Sequence, residues 1–89
     1  LDTSPKIIKK VQPVYPEELR KAGIQGTVVL EVTTDEKGVP EKITVLKSES
    51  SELNEPAIEA VRQWVYEPTL IDGKAVPVTF TITIRFKLK

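Results

Sequence analysis

From Val76 to Leu88 every even position is apolar: Val76, Val78, Phe80, Ile82, Ile84, Phe86 and Leu88. The positions between them are Pro77, Thr79, Thr81, Thr83, Arg85 and Lys87. Strict period-two alternation, rich in β-branched and aromatic residues, argues for a β-strand with one buried and one wet face. At about 3.4 Å per residue the stretch extends on the order of 40 Å, longer than most strands. Such a strand needs a sheet beside it, a layer over its apolar face, and an explanation for any bare edge.

The rest of the chain supplies candidates for the first two. Residues 5–14 begin as an extended stretch in which Ile7, Ile8 and Val11 are strand material, but Pro13 removes a donor and holds Gln12 extended. We read residues 1–14 as an arm and 15–89 as a single domain. Tyr15 to Gly23 reads as a short helix, with Pro16 in its first turn, Glu17 and Glu18 at its positive end, and Gly23 as its left-handed terminator. Residues 26–34 alternate as a strand, Asp35-Glu36-Lys37-Gly38 suits a type I turn, and residues 41–48 return with Ile43 and Val45 inward. Leu46 breaks the alternation, so it is either an exposed apolar residue or the mark of a bulge. Asn54 is placed as the N-cap of a second helix that Glu67-Pro68 ends, with Leu53, Ala57, Ala60, Val61 and Trp64 on one face. Trp64 anchors that helix to the sheet, and Asp72-Gly73 turns the chain into the final strand.

These elements assemble as an α+β fold. Strands 26–34 and 41–48 form a hairpin, and the second helix carries the chain back along the sheet. The final strand then runs antiparallel to 26–34, giving the order 41–48, 26–34, 76–88 with both helices on one face and 76–88 at an edge. A competing assembly places the arm in the same sheet as a first strand, in a ferredoxin-like pattern.

Thirteen basic and thirteen acidic residues cancel, which argues against a nucleic-acid or anionic-membrane surface. The outward positions Val29, Glu31, Thr33 and Thr44 include no aromatic to stack a base, so an RNA-binding sheet is rejected as well. With neither His nor Cys, the usual general base and the common soft-metal ligands are missing, phosphate-binding glycine motifs are absent, and no cofactor is expected. The chain reads as non-enzymatic. The chain starts at Leu1-Asp2-Thr3-Ser4-Pro5, and we expect a targeting segment upstream of it.

What remains is the open edge, whose wet face carries Thr79, Thr81, Thr83, Arg85 and Lys87 and is guarded only by Pro77 and the final basic pair. An extended peptide can add to such an edge through main-chain hydrogen bonds. A homodimer mate, or further chain, would cover it equally well.

Over residues 6–88 the chain resembles the C-terminal domain of TonB-family energy transducers. The carrying features are QPVYP (Gln12 to Pro16), GIQGTVVLEVTTDEKG (Gly23 to Gly38), LNEPAIEAVRQWVYEP (Leu53 to Pro68), DGK (Asp72 to Lys74) and the alternating final strand. The resemblance implies a periplasmic domain of a protein anchored in the inner membrane. Such a domain grips the TonB box of an outer-membrane transporter as a strand beside 76–88 and passes on force from membrane motor proteins. It also implies that Gln12 and Pro13 lie near the transporter contact, and it matches Tyr15 to the motif's Tyr. From the residues alone, Tyr15 instead packs on the end of the first helix. Domains of this type also occur in sensor-like envelope proteins, where edge pairing with a second copy is the alternative role.

Overall fold

The computed structural model describes residues 6–88. In chain order the elements are β1 (Ile7–Lys9), α1 (Glu17–Lys21), β2 (Gly26–Thr34) and β3 (Pro40–Ser48). A 3-10 turn (Ser51–Leu53) then leads into α2 (Asn54–Arg62), followed by β4 (Val65–Tyr66), β5 (Thr69–Ile71), β6 (Lys74–Val76) and β7 (Val78–Phe86). The main sheet has the order β3-β2-β7, with β2 antiparallel to both neighbours. Val28, Leu30, Val32, Phe80, Ile84 and Phe86 form its buried face, against which α2 packs Ala57 and Val61 and α1 packs Leu19. Strand order, class and helix placement thus agree with the sequence.

The final strand is shorter than its alternation. Pro77 has no N–H to give a ladder, and pairing with β2 begins at Val78, opposite Thr34. The nine residues of β7 span about 30 Å. Val76 belongs to β6, and Leu88 lies past the strand end, although its amide still donates to Gln25 Oε1 at 3.0 Å. Asp72-Gly73 does not launch β7 either. With φ of 52° and 79°, both residues take the left-handed conformation of a type I′ turn and close a separate hairpin of β5 and β6.

Both helices are shorter than their patterns. Pro16 is the N-cap of α1 rather than part of its first turn. The helix ends as expected at Gly23 (φ 74°), where the amide of Ile24 donates to the Leu19 carbonyl at 3.0 Å and that of Gly23 to Arg20 at 3.1 Å. This pair of bonds is a Schellman closure. Asn54 is the first helical residue of α2, not its cap. That helix stops at Arg62 because the next residues have tertiary partners: Trp64 enters the core, and Val65–Tyr66 pair with β1. The ion pairs Glu17–Arg20 and Glu59–Arg62 are exposed and contribute only a few tenths of a kcal/mol each.

The arm does not enter the main sheet, so the ferredoxin-like alternative is not the fold. Ile7 and Lys9 face Tyr66 and Val65 in a two-stranded piece, extended by a 2.8 Å bond from the amide of Glu67 to the Lys6 carbonyl. Leu46 proves to be both readings at once, 53% exposed and skipped by the register.

Tyr66 lies at the centre of the core, 1% exposed, with its ring edge-on to Phe80 at 4.8 Å. Its hydroxyl has no hydrogen-bond partner among the described residues, and burial pushes its pKa up to about 12. The folded state therefore holds this proton more tightly than the unfolded chain. That contribution is complete below the ordinary tyrosine value of 10.0 and is lost as pH rises through about 12. Tyr66→Phe is expected to leave neutral-pH stability unchanged or up to ~1 kcal/mol higher, because it removes a buried donor that bonds nothing. It should also flatten the alkaline limb of a stability-against-pH curve measured by urea unfolding. Destabilisation by more than ~1 kcal/mol at pH 7 would contradict this account.

Candidate functional site

The two outer strands of the main sheet differ in what they offer. In antiparallel strands a residue's N–H and C=O point the same way, and successive residues point to opposite sides. Thr27 turns both groups toward the β3 side: its amide donates to Glu49 Oε1 at 2.6 Å and its carbonyl accepts from the Glu49 amide at 3.1 Å. The Thr27 hydroxyl, donating to the same Oε1 at 2.8 Å, and secondly the Thr27 amide hold the Glu49 carboxyl below its usual pKa. By alternation Val28, Leu30, Val32 and Thr34 turn toward β7, where they face Ile84, Ile82, Phe80 and Val78. The N–H and C=O groups of Thr79, Thr81, Thr83 and Arg85 consequently point outward. Among the described residues no strand pairs with them.

That edge is regular, each β7 residue facing one residue of β2 without a break. The opposite edge is not. The pairing of β3 with β2 slips twice, skipping Leu46 and Glu41, and β3 begins with Pro40 and carries Lys42 and Lys47. Bulges, proline and lysine are the devices that spoil a sheet edge for strand addition. β7, from Val78 to Phe86, carries no proline, no lysine and no slip of register.

The arm borders the C-terminal half of this edge. The indole N–H of Trp64 donates to the Val11 carbonyl at 2.7 Å, and the Lys10 ammonium lies 5.5 Å from the centre of the indole ring. Tyr15 closes the other end of this stretch, its ring edge-on to Phe86 at 5.4 Å and its hydroxyl donating to the Ile24 carbonyl. Lys10, Gln12 and Pro13 thereby face Thr83, Ile84 and Arg85 across an open notch of about 160 Å³ whose floor includes Trp64.

The structure brings together Gln12, Pro13, Thr83 and Arg85 of the residues singled out in the sequence. Thr79 and Thr81 continue the same edge away from the notch. Lys87 lies beyond β7, in a wide hollow with Tyr15, Glu17, Arg20, Lys21 and Leu88. Lys10 and Trp64 were missing from that set, although they form the notch with the others. A pairing 53 positions apart, between Trp64 and Val11, leaves no mark on local pattern. Chemically the site offers backbone donors and acceptors, hydroxyls, an amide and cations. Among the described residues no three Asp or Glu side chains gather to hold a metal ion.

Residues 11–88 match the family described as Gram-negative bacterial TonB protein C-terminal. Protein TonB of Vibrio cholerae is 40% identical over 90 residues, covering all of this chain and 37% of the relative. Protein tonB2 of Pseudomonas aeruginosa is 36% identical over 77 residues, covering 85% of this chain and 28% of the relative. The chain thus spans about a third of the length of the curated relatives it matches. Among solved structures, the solution structure of the Pseudomonas aeruginosa TonB C-terminal domain superimposes with a TM-score of 0.81 at 30% identity, covering 99% of this chain and 90% of that one. The tonB2 protein of Vibrio anguillarum gives 0.69, also at 30% identity, with 100% and 88% covered. The chain belongs to the TonB C-terminal domain family.

Proposed function

We propose that this domain is the periplasmic gripping end of a TonB-like energy transducer, and that it takes the TonB box of an outer-membrane transporter as an added strand on β7. The observation that carries the reading is the unbroken outward row of main-chain groups from Thr79 to Arg85, on a sheet whose other edge is spoiled by two slips. Residues 15–89 are the gripping domain and residues 1–14 the arm, of which Lys10, Gln12 and Pro13 border the edge. Upstream of the arm the full protein carries a membrane anchor, which works with inner-membrane motor proteins, and a proline-rich linker. The domain transmits force and catalyses nothing.

Strand addition suits that task. A peptide pulled along the strand axis loads several main-chain hydrogen bonds together, whereas one peeled from an end breaks them singly. The test is a titration of the labelled domain with a synthetic TonB-box peptide, followed by NMR. Amide shifts concentrated at Thr79, Thr81, Thr83 and Arg85 are expected, with smaller ones at Gln12. Saturable binding with those amides silent would sink the reading. The same regular edge also fits a second copy of the chain. A dimer that dissociates as the peptide is added would make self-pairing the resting state of the edge.

A further inference from the structure

Between Pro68 and Pro77 the chain makes a finger that strand addition on β7 does not use. β5 and β6 pair with each other and with no other described strand. Leu70 and Ile71 are 64% and 58% exposed. Neighbouring strand residues point to opposite faces, so these two put an aliphatic side chain on each side of the finger. A Cβ built on Gly73 meets nothing within 4 Å, so the turn stands clear of the body. The prolines at its two roots withhold the N–H groups that would merge the finger into neighbouring ladders. A lone two-stranded hairpin is marginal in water, and this one also exposes large aliphatic groups. Both facts call for a surface to rest on.

Area and position together select that surface. Three residues per strand and their turn bury only on the order of a few hundred Å², well under the roughly 800 Å² per partner of a stable interface. The finger therefore does not hold a second copy of this chain unaided, and it works only beside another contact. Its root supplies one: β6 passes into β7 through the single residue Pro77, so the finger rises from the end of the open edge. We propose that residues 69–76 are a second grip on the partner whose strand lies on β7, with Leu70 and Ile71 seated in an apolar depression on that partner's folded body beside its extended segment. This rests on the strand-addition reading above. Once the strand is bound the second contact is intramolecular, and even a small one raises overall affinity by a large factor.

The test compares the wild-type domain, the double variant Leu70→Ser/Ile71→Ser and Thr81→Pro against two probes. One probe is a synthetic TonB-box peptide, and the other is a TonB-dependent transporter carrying the same box in detergent micelles. Thermal melts establish that each variant is folded. The double variant is expected to bind the peptide within about twofold of wild type and the transporter at least about tenfold more weakly. Equal transporter binding by wild type and double variant overturns the second grip. Loss of peptide binding in the double variant overturns it too, because the finger would then be supporting β7. A wild-type dimer seen in sedimentation and dissolved by the double variant overturns it in favour of a second copy. Thr81→Pro that keeps the peptide would instead sink strand addition itself, a separate result.

Discussion

Gly38→Ala is expected to cost the domain about 3 kcal/mol or more, a large share of what a domain this size possesses. Two costs fall on one residue. Its φ of 87° is a conformation that side chains with a Cβ rarely adopt. A Cβ there would also sit 2.0 Å from the carbonyl oxygen of Tyr66 and 2.8 Å from its carbon. Neither backbone is free to retreat, because the Gly38 carbonyl accepts the Tyr66 amide at 2.9 Å. That bond ties the β2–β3 turn to β4, and β4 in turn holds β1. Gly73→Ala is the matched control, with a φ of 79° but open space around it, and should cost only about 1 kcal/mol. In thermal melts Gly38→Ala should therefore fall on the order of 10 °C or more below Gly73→Ala. Similar melting temperatures for the two would show that the turn and β4 are not locked together.

Thr81→Pro and Ile82→Pro should separate binding from folding by a shift of one position. The N–H of Thr81 points away from β2, so proline there removes no bond of the main sheet, and edge strands tolerate it. The ring does remove a donor from the open edge and blocks the approach of an incoming strand. A loss of about 2–3 kcal/mol in peptide affinity follows, on the order of 30- to 150-fold, with the melting temperature lowered only slightly. Ile82 donates inward, opposite Leu30 at the middle of the ladder, and its replacement by proline should cost about 3 kcal/mol or more of stability. Calorimetric titration with a TonB-box peptide and thermal melts on both variants read the two effects. If Thr81→Pro unfolds and Ile82→Pro does not, the assignment of outward groups is inverted.

Much of the fold was legible because its cues are local. Alternation marked β2, β3 and β7 and their inward faces, and Asp35 together with Gly38 marked the turn between them. The Asp35 carboxylate does accept the amides of Lys37 and Val39, at 2.8 and 3.0 Å. The errors fell where a local pattern ran past its tertiary use. Val76 continues the alternation of β7 but sits across Pro77 in another hairpin, and Trp64 continues the apolar face of α2 from beyond its end. The candidate site divided in the same way. Its threonines were legible as the wet face of an edge strand, whereas Lys10 and Trp64 were not, since the arm's course is set by contacts distant in sequence.

By itself the sequence determined the order of the three long strands, the sheet face that is buried and the position of β7 at an edge. Period-two patterning and turn chemistry act over a few residues, and the short hairpin and helical return leave few other connections. Only the tertiary structure decided that Thr79, Thr81, Thr83 and Arg85 turn their main-chain groups outward, because that parity depends on register with β2. It alone showed that β3 is spoiled by its slips, that Gly38 is pinned against Tyr66, and that the arm pairs with β4 rather than filling the open edge. Each of these depends on which distant backbone lies alongside, a relation that no stretch of residues encodes alone.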